Sequence, residues 1–228
     1  MQAFWRVEEE WPWSVVAILG GGPSLTPEQI ECLRARREES RNAARVIALN
    51  TQLQLAPWAD LHFFVDSKWW RWHCGAEWYR GFAGVRVTLE NPKICAREPG
   101  IRALKNYGLE PGLCRVRDGV HTGNNAGYMA INFAVHLGAR RILLLGFDMR
   151  PVQGRTHWFG DHPSPTDPGV YAKDMLPAFA TLVKPLKQAK VEVLNCTPGS
   201  ALSCFPSMGL EQALALPRPI AQAWPRAA

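Results

Sequence analysis

The segment Val15 to Gln29, VVAILGGGPSLTPEQ, constrains the fold more than any other part of the chain. Its apolar, β-branched start reads as a buried strand, and three consecutive glycines let the backbone after it turn sharply and approach something closely. A helix start follows at once. Thr26 is a candidate N-cap, Pro27 fits the first helical position, where a missing N–H costs nothing, and Gln29 completes a T-x-x-Q capping box. The glycines therefore join a strand to a helix. At such junctions open α/β sheets bind anions on unpaired backbone N–H groups. The motif is not a P-loop, because no G-K-[ST] follows, and Pro23 and Ser24 interrupt the G-x-G-x-x-G fingerprint. A phosphate cradle over Gly20, Gly21, Gly22, Pro23 and Ser24 and a plain tight turn both fit.

The pattern repeats along the chain. ARVIALN is expected to be a strand ending at Asn50, LHFFVD a strand ending at Asp66, and GVRVTL and LCRVR shorter strands. From about Asn91 to Pro111, Pro and Gly punctuation suggests a loop-rich excursion. NNAGYMAINFAVHLGA reads as an apolar helix closed by Gly138, and RRILLLGFDM as a buried strand ending at Gly146 and Asp148. Val170 to Lys187 reads as an amphipathic helix broken by Pro177 and Pro185, and VEVLN as a last strand. Short apolar strands alternating with helices predict an α/β fold: a single Rossmann-like domain, a mostly parallel twisted sheet with helices on both faces. The expected division is an N-terminal arm over 1–13, the nucleotide-binding domain over 14–208 and a C-terminal tail over 209–228. Gly20 to Ser24, Asn50, Asp66, Asp148 and Asn195 all fall at the carboxyl ends of expected strands, the ligand-binding edge of this architecture.

Composition narrows the function classes. The 228 residues suit one domain, and no run approaches the ~20 apolar residues of a membrane span. MQAFWRVEEEWPW lacks the basic start and apolar core of a signal peptide, so a soluble, cytoplasmic protein is expected. The six cysteines are scattered with no C-x-x-C, which favours reduced thiols over disulfides or a zinc site. A net charge of +6 suits an anionic partner such as a nucleotide, a nucleic acid or a phosphorylated glycan. Much of the basic excess, however, alternates with glutamate in ECLRARREESRNAAR, the pattern of a solvated helix face. No recognition helix or basic stripe supports a nucleic-acid role. Four of the ten tryptophans, Trp69, Trp70, Trp72 and Trp78, crowd into SKWWRWHCGAEWYRG, where they either pack as a satellite core or line an aromatic acceptor pocket.

Two further segments carry candidate chemistry. HTGNNAGY places Thr122, Gly123, Asn124, Asn125 and Gly127 at a helix start, where short polar side chains and free N–H groups suit a phosphate or ribose; an ordinary N-cap is the simpler reading. THWFGDHP holds His157, Asp161 and His162 in a loop. Histidine titrates near neutrality and can take a proton from a hydroxyl, with aspartate fixing its tautomer. A metal half-site and purely structural histidines remain alternatives, though no further ligand lies at convincing spacing. His62, His73, His121 and His136 read as packing or surface residues.

In chain order, GGGPSL, ALN, YMAINFAVHLGARRILLLGFDM, HWFGDHP and LNCTPGSAL resemble bacterial sialyltransferases that act on lipooligosaccharides. They also resemble a related family of domains of unknown function that includes 6-hydroxymethylpterin pyrophosphokinases and many phage-encoded proteins. The resemblance runs from about Val15 to Pro206, and LGARRILLLGFDM is its specific block. It implies a metal-independent glycosyltransferase that takes a nucleotide sugar, CMP-linked in the family, and a glycan or other hydroxyl-bearing acceptor. It places Gly20, Gly22 and Ser24 near the nucleotide phosphate, Asn50 near the sugar or phosphate, Gly146 near the base or ribose, and His162 as the base. Asn125, Ala126 and Gly127 stand where that family has Thr-Ser-Gly. Arg150 replaces a tyrosine that steadies the leaving phosphate. Asp161 looks like a one-residue insertion, which leaves His157 a rival base. Two alternatives follow: Mg2+-dependent diphosphate transfer using Asp66, Asp148 and Asp161, and a non-catalytic nucleotide-binding phage accessory protein.

Overall fold

The computed structural model describes residues 4–40, 44–160, 162–163 and 167–219. β1 (Ser14–Leu19) is apolar on both faces because it lies mid-sheet, paired in parallel with β2 (Arg45–Leu49) and with a strand far along the chain. Between them, α1 (Pro27–Glu39) begins as its sequence requires. The Thr26 hydroxyl accepts from the Gln29 N–H at 3.3 Å, and the Gln29 carboxamide accepts from the Thr26 N–H at 3.2 Å. Ile30 and Leu33 are its buried residues; Arg34 and Arg36 pair with glutamates in solvent, while Arg37 reaches inward to Asp60.

β2 ends at Leu49, one residue before the expected end, because Asn50 turns into a 3-10 helix (Asn50–Gln54) with a φ of 46°. β3 (Leu61–Phe64) leads into α2 (Ser67–His73), N-capped by Asp66, and then α3 (Glu77–Arg80). β4 (Val85–Leu89) follows. The stretch read as loop-rich instead contains α4 (Pro92–Arg97) and β5 (Arg102–Asn106). Asn91 caps α4 by accepting from the Ile94 N–H at 3.2 Å, with Pro92 at the first position, so the Pro there starts a helix rather than breaking one. LCRVR forms no strand: the Cys114 N–H is drawn to the Asn132 side chain at 2.7 Å, and the sheet continues only at β6 (Gly119–Val120).

α5 (Ala126–Leu137) is capped by Asn125 and stopped by Gly138. β7 (Ala139–Leu145) returns to the sheet centre. A π-type turn (Tyr171–Met175), α6 (Leu176–Ala180) and α7 (Val183–Gln188) replace the single broken helix expected there; Pro177 and Pro185 each fall in a first turn, where no N–H is missed. β8 (Glu192–Asn195) and α8 (Leu210–Ala215) are the last elements among the described residues.

Among the described residues eight strands form one sheet in the order β6-β5-β4-β3-β2-β1-β7-β8, every pairing parallel. One core packs α5, α6 and α7 on one face; the other packs α1 and α8 on the opposite face. Trp5, Val7 and Trp11, ahead of β1, donate backbone hydrogen bonds to Ala103, Arg117 and Leu137. Strand order reverses between β1 and β7. At such a point the connections on either side leave in opposite directions and open a crevice beyond the strand ends.

Candidate functional site

The crevice beyond β1 and β7 holds a cavity of about 170 Å³. Gly20, Gly21 and Gly22 after β1, Asn50 and Gln52 from the 3-10 helix after β2, Asn125 and Gly127 from the start of α5, and Gly146, Asp148 and Arg150 after β7 all line it. His157 and His162 reach it from the following loop, and Tyr171 from the π-type turn. Six separate places in the sequence thus meet at one point.

The glycine loop is shaped by its neighbour. The Gly20 N–H donates to the Leu145 carbonyl at 2.7 Å and the Gly22 N–H to the Gly146 carbonyl at 2.8 Å, so two of the three amides are already engaged. A Cβ on Gly22 would lie 1.8 Å from Asp148 Oδ2 and 2.6 Å from the Gly146 carbonyl oxygen. Glycine is required there because the β1 and β7 loops touch backbone to backbone. Gly146 itself has a φ of 69°. Ser24 lies behind the cavity wall, its hydroxyl donating to Asp148 Oδ2 at 2.9 Å.

Asp148 is the dominant charge. It is buried, and burial pushes its carboxyl pKa up, opposed by the Ser24 hydrogen bonds and the Arg150 guanidinium. Its Oδ1 accepts no hydrogen bond, and neither do Asn50 Oδ1 and Gln52 Oε1. Buried acceptors are nearly always satisfied, so three unsatisfied ones among the residues lining one cavity set it apart from the rest of the interior. Asn50 is held in its left-handed conformation by His62, whose Nε2 lies 2.9 Å from the Asn50 carbonyl; burial lowers the His62 pKa to about 3, keeping it neutral. Tyr171 is pushed up by burial and then by the Asp148 charge. Arg150 is exposed and anchored by its Nε on the Gly199 carbonyl at 2.9 Å.

The imidazoles of His157 and His162 meet with centroids 4.7 Å apart, and Phe159 packs against both, stacked on His157 at 5.0 Å. The Thr156 hydroxyl lies 3.0 Å from His157 Nδ1, and the Trp158 N–H donates to the Gly21 carbonyl at 3.1 Å, docking this loop on the glycines. Asp161 lies outside the described residues. His73 faces the pair from α2, its pKa lowered by burial and then by the His162 charge.

Other expected residues lie elsewhere. Asp66 accepts from the Lys68 N–H as the cap of α2, and Thr122 donates to the Gly108 carbonyl. Pro23, Gly123 and Asn124 are not among the lining residues, and the Asn125 side chain caps α5 by accepting from the Tyr128 N–H at 2.7 Å. Buried His136 lies 3.1 Å by its Nε2 from the Gly119 carbonyl. Sequence reasoning missed Gln52 and Tyr171. The polar triplet Asn50-Thr51-Gln52 straight after an apolar strand was a usable signal for Gln52, whereas nothing local aims Tyr171. Among the described residues no group of three or more His, Cys, Asp or Glu side chains is placed to hold a metal ion, and no helix is long and apolar enough to cross a membrane.

An all-parallel Rossmann-like sheet with its site at the strand-order reversal is the class of protein that fold and cavity define. No protein-family model matches the chain, and no curated protein does. Among solved structures it is similar to the sialyltransferase CST-II in complex with a trisaccharide acceptor and CMP, at 13% identity over 86% of each chain with a TM-score of 0.52. It is also similar to the sialyltransferase CstII from Campylobacter jejuni in complex with the substrate analogue CMP-3FNeuAc, at 12% identity over 93% of each chain with a TM-score of 0.51. At these identities the likeness is one of fold.

Proposed function

We propose that this chain is a glycosyltransferase that moves a sugar from a nucleotide donor to a hydroxyl acceptor. The observation that carries the reading is the convergence, at the strand-order reversal, of three unsatisfied acceptors and a pair of imidazoles among the residues lining one cavity. That both fold neighbours were solved with CMP or a CMP-linked analogue supports a cytidine nucleotide as the donor. In this reading Asp148 Oδ1 accepts from ribose hydroxyls, and Asn50 and Gln52 accept from the donor's amine and hydroxyl groups. His162 takes the proton from the acceptor hydroxyl as its oxygen bonds to the anomeric carbon. The bond from that carbon to the phosphate oxygen breaks, and the electron pair leaves on the nucleotide. Arg150 and the Tyr171 hydroxyl meet the phosphate charge, a role that needs no metal. His157 and Phe159 fix the His162 ring.

A thermal-shift panel of CMP, CDP, UDP, GDP, ADP and ATP, each with magnesium and with chelator, tests the donor side. A ligand at a hundred times its Kd adds about 2.7 kcal/mol, a rise of several degrees for a chain this long. Stabilisation by CMP in chelator is expected; a response confined to ATP with magnesium would replace this reading with diphosphate transfer. With a CMP-sugar, His162→Ala should lower turnover roughly 100-fold or more and leave CMP affinity within about twofold. Equal losses in both would remove His162 from the role of base.

A further inference from the structure

Of the crowded tryptophans, Trp69 and Trp70 are buried with Phe64, Tyr79, Ile94 and Ile101 in a satellite core, whereas Trp72 is 37% exposed. Its indole lies over His162, with centroids 5.9 Å apart and ring planes 27° from parallel. Trp72 therefore continues the ring cluster of His157, Phe159 and His162 outward from the cavity. The residue before it in α2, Arg71, walls a groove of about 690 Å³ between α2 and α4 together with Trp70, Asn91, Lys93, Ile94 and Arg97.

The charge of this groove is uncompensated. Arg71, Lys93 and Arg97 are exposed, and among the described residues none of them is in an ion pair. Arg97 lies over the Trp70 ring at 5.8 Å. Glu98, next in the chain, is turned inward, where the Trp70 Nε1–H and the Tyr79 hydroxyl both donate to it. Asp66 is occupied by the Lys68 N–H at 2.6 Å. The groove lies beyond β3 and β4 and the cavity beyond β1, β2 and β7. With neighbouring strands about 4.8 Å apart, β1 to β4 is roughly 14 Å, a span suited to a short oligosaccharide.

We propose that Trp72 and the groove of Arg71, Lys93 and Arg97 form an extended acceptor subsite for an anionic oligosaccharide bearing carboxylates or phosphates. The apolar face of the terminal sugar lies on Trp72, which presents a hydroxyl to His162, and the following anionic units lie along the groove. Guanidinium groups suit both anions through paired N–H donors, and an exposed indole beside a polar site suits a sugar ring. The part played by His162 rests on the transferase reading; the groove's binding chemistry does not.

Isothermal titration with hexagalacturonate, phosphopentamannose, neutral maltohexaose and a twelve-residue oligothymidylate separates the outcomes, each at low and at physiological salt. At least one anionic oligosaccharide should bind ten times more tightly than maltohexaose, and which of the two does so tells carboxylate from phosphate recognition. The double variant Arg71→Glu/Lys93→Glu, altered only at exposed side chains, should lose at least tenfold of that affinity and keep its melting temperature. Trp72→Ala should lose at least fivefold. CMP affinity, measured separately, should be the same in all three proteins, so failure of the donor reading is distinguishable from failure of this one. Equal binding of anionic and neutral glycans, equal binding by the double variant, or tighter binding of the oligothymidylate would each overturn the proposal.

Discussion

The carboxyl edge of the sheet carries two regions rich in polar and aromatic groups, and they differ in how their buried polar atoms are treated. Beyond β3 and β4, Trp69 Nε1 donates to Thr51 Oγ1 at 2.9 Å, and Trp70 and Tyr79 share the Glu98 carboxylate. The exceptions, His62 Nδ1 and Arg86 Nε, sit among the rings of Tyr79 and Phe82. Beyond β1 and β7, three residues that line the cavity, Asn50, Gln52 and Asp148, each hold a buried side-chain oxygen that accepts no hydrogen bond. A folded chain rarely leaves such groups unsatisfied without a use for them. The buried part of the first region, Trp69 and Trp70 included, has the pairing of a stable core, and the second has the unpaired acceptors expected of a binding site, although a reader of composition would favour those two tryptophans as the functional feature.

The largest effect is expected in the satellite core. Ile94→Ala removes a side chain that is 2% exposed and should cost about 2–5 kcal/mol in a denaturant titration while leaving CMP affinity of the folded protein unchanged. A matching loss of CMP binding would mean the two regions act as one. Asp148→Asn should do the reverse. The hydrogen bond to a charged acceptor is worth about 1.5–3 kcal/mol, so CMP affinity should fall roughly 10- to 150-fold. Because burial raises the Asp148 pKa, its folded form holds the proton more tightly than the unfolded chain. Its contribution therefore weakens as pH rises through the acid range, and at neutral pH the neutral amide should melt higher, not lower.

His62 and His136 sharpen the stability side. Burial lowers their pKa values to about 3 and about 4, below the 6.5 of an exposed imidazole. Between those values and 6.5 the unfolded chain takes up protons that the native chain refuses, so stability falls as pH falls, by about 2 kcal/mol for each histidine at pH 5. Denaturation at pH 7.5 and pH 5 reads this directly, and His136→Gln should roughly halve the difference. The smallest effect belongs to Glu98→Gln, which leaves one of two buried donors without an acceptor. It should cost roughly 1 kcal/mol and leave CMP binding alone.

What the sequence makes legible is what is local. The capping box of α1, the Gly138 stop of α5 and the apolar runs of β1 and β7 involve residues a few positions apart, and each stands where its pattern puts it. β5 was obscured because its ends are polar and its neighbours are Pro and Gly; α4 was obscured because Asn-Pro reads as a turn unless the cap is noticed. At the site, Asn50, Asp148 and the two histidines were legible as polar residues beyond strand ends. The purpose of Gly20 and Gly22 was not. Their sequence suggests a phosphate cradle, while their amides bond to Leu145 and Gly146, more than a hundred residues on. Tyr171 reaches the cavity from a turn whose orientation only tertiary packing decides.

The strand order also governs when the site comes into being as the chain leaves the ribosome. β2 through β6 can pair outward from β1 as they emerge, but the other edge of β1 waits for β7, and the Ser24 to Asp148 contact spans 124 residues. Until then β1 is an open sheet edge rimmed by glycines, the kind of surface that invites pairing with another nascent chain. Such long-range parallel pairing is slow because the loop must close before any contact rewards it. The cavity at the strand-order reversal is thus a late feature of synthesis, and a truncation anywhere before β7 leaves most of a sheet without it.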